Sequence, residues 1–248
     1  MKIFGLIGYP LGHSFSSDLF TKKWATENIS GCRYELMPLQ EITLLHQLIR
    51  SKPELVGFNV TIPYKIKIIP FLSALSEEAK VAGAVNTVQV IRKGAQIYLT
   101  GHNTDVAGIQ ITLSNLGKKP NGALIFGTGG AAAATSFVLN NMRIPFRLVS
   151  RTSGTNRMIY NEINPETIRQ HHLLINCTPV GTSGFSFQPL PLPYDAIGSD
   201  HILFDLVYNP AVTSFLKEGL SRGATCVNGY QMLIAQAEET WRIWMKKQ

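Results

Sequence analysis

The chain has 248 residues, 45% of them hydrophobic and 16% charged, which allows one large or two modest domains with a sizeable core. Its net charge of +7, from 23 basic and 16 acidic residues, suits anionic small molecules; the basic side chains are dispersed, with Lys246-Lys247 the only terminal cluster, which argues against nucleic acid as a partner. No apolar run approaches the ~18 residues of a membrane span, MKIFGLIGYP is broken too early by Gly and Pro to read as a signal peptide, and Cys32, Cys177 and Cys226 lack metal-ligand spacing, so a reduced cytoplasm, no membrane and no metal are expected.

Lys2–Ile7 is expected to open the chain as a strand, ended by Gly8-Tyr9-Pro10. A helix then runs through about Asn28, with Ser16 or Ser17 as its N-cap and Ser14 just before it. Two hydroxyls at a helix N-terminus suit a carboxylate ligand, although plain capping accounts for the same residues. Tyr34–Pro38 and Leu55–Val60 read as further strands, with Ile42, Leu45 and Ile49 at helical spacing between them. Thr61-Ile62-Pro63-Tyr64-Lys65 leaves the third strand. Pro63 suits the first position of a helix, which would put Lys65 in the first turn, where a cation opposes the helix dipole. Taken alone, an exposed lysine explains Lys65 as well. Ser76–Ala82 reads as a short helix, and Gly83-Ala84-Val85-Asn86-Thr87 leads into a strand through Ile91. Lys93-Gly94 turns a hairpin and Gln96–Thr100 returns it. Asn103, Thr104 and Asp105 precede a helix from Val106 to Leu116, where they are ordinary capping residue types.

The stretch 121–152 carries the strongest signal. Ala123–Phe126 is a short apolar run, followed at once by Gly127-Thr128-Gly129-Gly130, then an Ala- and Leu-rich helix from Ala131 to Asn141 and a second apolar run, Phe146–Val149. Strand, glycine turn, helix and strand within ~30 residues make a dinucleotide-binding unit. The pattern is G-x-G-x-x-A: Gly127 for the tight turn, Gly129 for close approach to a pyrophosphate, and Ala132 for helix–strand packing. The helix N-terminus then presents N–H groups to the phosphates. Past the second strand, where an NAD site carries an acid, the residues are Ser150-Arg151-Thr152. An arginine flanked by hydroxyls fits a 2′-phosphate, so the cofactor reads as NADP rather than NAD.

Beyond Arg151 the pattern loosens. Leu173–Asn176 is a strand ended by Cys177-Thr178-Pro179-Val180-Gly181, and 183–193 reads as a loop. Ile202–Leu206 is another strand, followed by Val207-Tyr208-Asn209-Pro210; Thr213–Arg222 is a helix and Ala224–Val227 a last strand. The final helix runs from about Tyr230 to Met245, with Leu233, Ala237, Trp241 and Trp244 as its apolar stripe and Gln236 beside it. An amide at the edge of such a stripe needs a partner, either a ligand or a backbone group.

Nine stretches occur together in one order: GYPLGHSFS, NVTIPYK, GAVNT, GHNTD, GTGGAA, SRT, NCTPVG, DLVYNP and NGYQMLIAQ. On these the chain resembles the shikimate dehydrogenase family from end to end. The resemblance implies an α/β fold with an N-terminal α/β substrate domain (1–102 plus 231–248), a Rossmann-type NADP-binding domain (103–230), and a C-terminal helix packing back on the substrate domain. It also implies reversible NADPH-dependent reduction of 3-dehydroshikimate to shikimate, on the route to chorismate and the aromatic amino acids. Residue by residue, Ser14 and Ser16 are implied to hold the substrate carboxylate. Thr61, Asn86, Asp105, Tyr208 and Gln236 are implied to surround the ring hydroxyls, with Lys65 and Asp105 as the catalytic pair. Gly127, Thr128, Gly129, Gly130 and Ala131 take the pyrophosphate, and Ser150, Arg151 and Thr152 the 2′-phosphate. Thr178, Leu206, Gly229 and Met232 lie on the nicotinamide side. The family's asparagine before the clamp arginine is Ser150 here, and a second arginine often found slightly later is Thr155, with Arg157 two positions on. A relative acting on quinate or an amino analogue with NAD, and a non-catalytic dinucleotide-binding homologue, are the competing readings. The partner is a small molecule, and both a monomer and a homodimer are open.

Overall fold

The computed structural model describes residues 1–12, 15–117, 119–155, 157–182 and 189–246. The first hundred residues form β1 (Lys2–Gly8), α1 (Phe15–Thr26), β2 (Cys32–Pro38), α2 (Leu45–Ser51), β3 (Leu55–Val60), α3 (Tyr64–Lys67), β4 (Ala74–Leu75), α4 (Glu77–Ala82), β5 (Thr87–Lys93) and β6 (Gln96–His102). Their sheet has the order β2-β1-β3-β5-β6-β4. β1 is parallel to β2 and β3, and the β5–β6 hairpin adds antiparallel to β3. Side chains alternate across such a sheet. Ile3 and Ile7 of β1 therefore join a core with Leu45, Leu55, Phe58 and Val88, while Phe4 joins Phe20, Trp24, Ile243 and Trp244.

The middle of the chain forms α5 (Asp105–Ser114), β7 (Ala123–Phe126), α6 (Gly130–Asn141), β8 (Phe146–Ser150), β9 (Arg157–Ile159), α7 (Pro165–Gln170), β10 (Leu173–Asn176), β11 (Ile202–Asp205), α8 (Ser214–Leu220), β12 (Thr225–Val227) and α9 (Tyr230–Met245). The second sheet is parallel throughout, in the order β12-β11-β10-β7-β8-β9. Read from β7 as the first strand, this is the doubly wound order 3-2-1-4-5-6 of dinucleotide-binding sheets. Its four-residue central strands β7, β10 and β11 are buried along their whole length, as parallel strands covered on both faces must be.

The chain divides into one unit of Met1–Ala107 with Ile234–Gln248 and another of Gly108–Leu233. The divisions fall inside α5 and α9 rather than in the flanking loops, so they lie a few residues beyond the expected 102 and 230. Asp105 accordingly belongs to the first unit and not, as expected, to the nucleotide-binding one. In the first unit α9 packs its end on the sheet. The Trp244 ring stacks on Phe4 with centroids 4.8 Å apart and its Nε1 donates to the Val88 carbonyl at 3.0 Å. A Cβ at Gly57 would overlap that indole, which is why glycine stands there in β3.

Several local expectations change. Helix α1 starts at Phe15, so Ser16 and Ser17 lie in its first turn and neither is the N-cap. Helix α3 is a single turn with Pro63 as N-cap, too short for a dipole argument about Lys65. The strands β4 and β9 and helix α7 did not stand out in the sequence, being only two, three and six residues long.

Candidate active site

In the first unit the sheet brings several chain segments to one end. Val60 pairs with Ile7, Asn59 with Thr87, and Thr87 with His102. The residues that leave these strands, Thr61, Asn86 and Asn103–Asp105, therefore gather there. Lys65 follows one turn after Thr61, and its carbonyl accepts from Val85 N at 2.7 Å, which ties α3 to the segment carrying Asn86. Lys65 Nζ donates to Asp105 Oδ2 at 2.8 Å; the lysine side chain is 33% exposed and the aspartate side chain 8%. Asn86 Nδ2 donates to Asp105 Oδ1 at 2.9 Å and to Gln236 Oε1 at 3.2 Å. The oxygen of Asn86 accepts from Thr104 N at 2.8 Å and from the Thr104 hydroxyl at 3.2 Å. Thr61, Lys65, Asn86, Asp105 and Gln236 thus belong to one end of one unit.

Ser16 reaches this network from the other side. Its hydroxyl bonds to the Tyr34 phenol, which burial pushes well above the ordinary tyrosine range. Tyr34 donates to Asn59 Oδ1 at 2.9 Å. Ser14 lies outside the described residues. Tyr208, expected among the substrate residues, is part of the second unit, where burial raises its phenol.

The second unit presents the glycine turn at the carboxyl end of β7. Gly127 has φ of +113°, which favours glycine. A Cβ there would press on Thr178 Cγ2 at 3.2 Å and on the Cys177 carbonyl at 3.3 Å. Gly127 N donates to the Val149 carbonyl and Cys177 N to that of Phe126, both at 2.9 Å. The turn therefore sits between β8 and β10, where the strand order reverses and dinucleotides bind. Gly129 is the N-cap of α6 without a side-chain cap, and a Cβ on it would meet nothing within 4 Å. The first N–H groups of this twelve-residue helix are left for an anion. These features fit a pyrophosphate on Gly127, Thr128, Gly129, Gly130 and Ala131.

At the end of β8 Ser150 is buried. Its hydroxyl donates to the Thr152 carbonyl and accepts from Thr152 N, so it closes the turn that presents Arg151. Arg151 and Thr152 are exposed beside it. Burial pushes the Tyr160 phenol up to about 12, and the nearby Arg151 guanidinium pulls the other way. Arg157, paired with Leu148 in the sheet, lays its side chain within 3.4 to 3.8 Å of a Cβ built on Gly154. Arg151 thus stands at the strand end where NAD sites carry an acid.

Thr178 is held by Asn176, whose oxygen accepts from Thr178 N at 3.0 Å and from its hydroxyl at 2.6 Å. Asn176 Nδ2 donates to Asp205 Oδ1 at 2.9 Å. Asp205 also accepts from Val207 N at 3.0 Å and from the Thr213 hydroxyl at 2.5 Å. Burial pushes this carboxyl up to about 6 against all three donors. Leu206 and Gly229 touch so closely that a Cβ at Gly229 would overlap the Leu206 carbonyl, and Met232 packs its carbonyl against Gly108.

A family model described as the shikimate dehydrogenase substrate binding domain matches residues 6–88. A protein named shikimate dehydrogenase (NADP(+)) from Pelodictyon phaeoclathratiforme is 35% identical over 98% of this chain and 91% of its own. The chain belongs to the shikimate dehydrogenase family. Among solved members, a chorismate mutase/shikimate 5-dehydrogenase fusion protein from Clostridium acetobutylicum shares 31% identity with a TM-score of 0.85, over 98% of this chain and 90% of that one. The shikimate 5-dehydrogenase of Thermus thermophilus, solved in complex with NADP(H) and shikimate, shares 28% identity with a TM-score of 0.84, over 99% and 94%.

Sequence reasoning passed over part of what makes this dehydrogenase's sites. Asn59, Thr87, Thr104, Asn176 and Asp205 all stand inside the nine motifs, yet no single residue type or spacing marked them as braces. Tyr34, Thr213 and Thr240 lie outside every motif, and only the buried contacts of their hydroxyls show what they do.

Proposed function

We propose that the chain catalyses the reversible NADPH-dependent reduction of 3-dehydroshikimate to shikimate, in the route to chorismate and the aromatic amino acids. The observation that carries this is the Lys65–Asp105 pair at 2.8 Å, with Asn86 donating both to that carboxylate and to Gln236. The reading draws on relatives named for NADP(+)-dependent shikimate dehydrogenation and on the relative solved with NADP(H) and shikimate. A cytoplasmic location accords with three cysteines that form no disulfide.

The substrate's carboxylate is assigned to Ser14 and Ser16, and its ring hydroxyls to Thr61, Asn86, Asp105, Gln236 and Tyr208. Gln236 suits this, because its Oε1 is taken by Asn86 and its Nε2 has no partner among the described residues. Dinucleotide contacts are assigned to Gly127, Thr128, Gly129, Gly130, Ala131, Ser150, Arg151, Thr152, Thr178, Leu206, Gly229 and Met232. When bound, the nicotinamide supplies or accepts the hydride. The chain's own task is the proton. In reduction Lys65 Nζ gives a proton to the carbonyl oxygen as it becomes a hydroxyl; in oxidation neutral Lys65 takes it back. Asp105 holds the ammonium through Oδ2 and retains a lone pair on each oxygen for a substrate hydroxyl. Asn86 keeps Asp105 oriented whether or not Lys65 is charged.

The test follows NADPH and NADH absorbance with purified protein and shikimate, quinate or 3-dehydroshikimate. Turnover of shikimate with NADP well above every other pair is expected. A preference for quinate with NAD would replace this reading, and absence of turnover with every pair would return the chain to a non-catalytic role.

A further inference from the structure

We propose that Thr240, on the buried side of α9, is a positioning residue that fixes Gln236 in place through a one-directional chain of hydrogen bonds. The inference rests on the reading above only for what Gln236 is positioned to bind.

The direction of the chain follows from atoms that have one role. The backbone N–H of Thr104 can only donate, so the Asn86 atom 2.8 Å away is its oxygen. The carbonyl of Asn86 can only accept, so the Asn59 atom 3.3 Å from it is Nδ2. With both amides fixed, Asn59 Nδ2 also donates to the Thr87 hydroxyl at 3.2 Å, and the Thr104 hydroxyl donates to Asn86 Oδ1 at 3.2 Å. Between these ends stand three hydroxyls. Thr87 and Thr240 are 3.0 Å apart, Thr104 and Thr240 3.1 Å, and Thr87 and Thr104 3.3 Å. Thr104 has given its only proton to Asn86, so it must accept. The two shorter contacts then select Thr87 to Thr240 to Thr104. All three threonines are at most 1% exposed, so water offers no substitute partner.

Upstream, Tyr34 donates to Asn59 Oδ1, so the amide of Asn59 is also used on both sides. Downstream, Asn86 Nδ2 spends its two hydrogens on Asp105 Oδ1 and Gln236 Oε1. That last bond turns the Gln236 oxygen inward and its nitrogen away. Gln236 and Thr240 are one turn apart on α9 and share a face. Thr240 is therefore the second anchor of that face, and it sets the rotation of α9 at which Gln236 meets Asn86. Nothing about packing alone requires a hydroxyl at 240, because valine has the same shape.

The experiment compares Thr240→Val, Thr240→Ser and Gln236→Ala with the double variant Thr240→Val/Gln236→Ala. We expect Thr240→Val to raise KM for shikimate about five- to tenfold, with kcat within about threefold and KM for NADP within about twofold. Thr240→Ser should restore KM to near the starting value. The double variant should be no worse than Gln236→Ala alone, because Thr240 acts through Gln236. Multiplying effects in the double variant, or a serine variant as impaired as the valine one, would overturn the proposal. Should Thr240→Val not fold, Thr240→Ala carries the same comparison. A second readout needs no turnover: in the ¹⁵N-labelled protein, the side-chain amide resonances of Gln236 and Asn86 should move in Thr240→Val and stay in Thr240→Ser. If the wild-type protein does not oxidise shikimate, the functional reading fails and this second arm still decides on Thr240: unmoved resonances in Thr240→Val overturn it.

Discussion

Each of the two units builds a similar small device, and the devices differ most in what completes the carboxylate. In the first, Asn86 accepts from the backbone and hydroxyl of Thr104 and donates to Asp105. In the second, Asn176 accepts from the backbone and hydroxyl of Thr178 and donates to Asp205. Asp105 has an ammonium beside it, a third exposed, at 2.8 Å. Asp205 is fully buried and has only neutral donors among the described residues, and its carboxyl is pushed up to about 6. Burying a carboxylate is costly without a counter-charge. The comparison teaches that the same Asn–Thr–Asp cage can be completed by a partly exposed cation, which leaves the carboxylate charged and reachable, or by neutral donors alone, which leaves it a brace for a loop.

The largest effect should come from removing that cation. Lys65→Ala should lower kcat by about 10²–10⁴-fold with KM for NADP nearly unchanged, and Asp105→Ala should do the same. Because the two act as a unit, the double variant should lose far less than the product of the singles. A Lys65→Ala enzyme within about threefold of the original kcat, with chemistry shown to limit the rate, would remove Lys65 from the mechanism.

Next comes the brace. The folded Asp205 keeps its proton up to about pH 6, whereas an unfolded aspartate loses it near ~3.9. The folded state then binds more protons between those values, so stability falls as pH rises through that window, by about 3 kcal/mol in all. Urea titrations from pH 4 to 7 should show this slope in the wild type and lose it in Asp205→Asn. Identical slopes in both proteins would mean that the carboxyl is not held as described.

Cofactor choice is expected to be smaller. A charge-assisted pair to a phosphate is worth ~1.5–3 kcal/mol, so Arg151→Ala should reduce the preference for NADP over NAD by about 10- to 100-fold. Comparing kcat/KM for the two cofactors checks it, and equal values in the unmutated protein would sink the assignment. Smallest is Ser16→Ala. Losing one neutral hydrogen bond of ~1 kcal/mol should raise KM for shikimate about fivefold and leave kcat alone. An unchanged KM would leave Ser16 as no more than the hydrogen-bond partner of Tyr34.

The glycine turn, the strand bounds of β3, β7 and β10 and the whole span of α9 were legible in the sequence, because each is a local pattern closed by its own breakers. Ser16 differs from the cap its local sequence suggests, because α1 already begins at Phe15 and the hydroxyl meets Tyr34 of β2, a contact that no local pattern shows. The local bonds of Ser150 are the opposite case: its partner, Thr152, is two residues away, so the contact lies within one motif. Short elements such as β9 and α7 have too few residues for a period to show, although Asn164 before Pro165 is a true cap that accepts from Thr167 N at 2.9 Å.

By itself the sequence determined the α/β class and the dinucleotide turn, and through its family motifs pointed to Lys65 and Asp105, since these reside in contiguous stretches. Only the tertiary structure decided which residues brace them. A buried hydroxyl or amide takes its meaning from partners that folding brings from distant strands and helices. Thr87, Thr104 and Thr240 become a relay only once β5, α5 and α9 enclose them away from water.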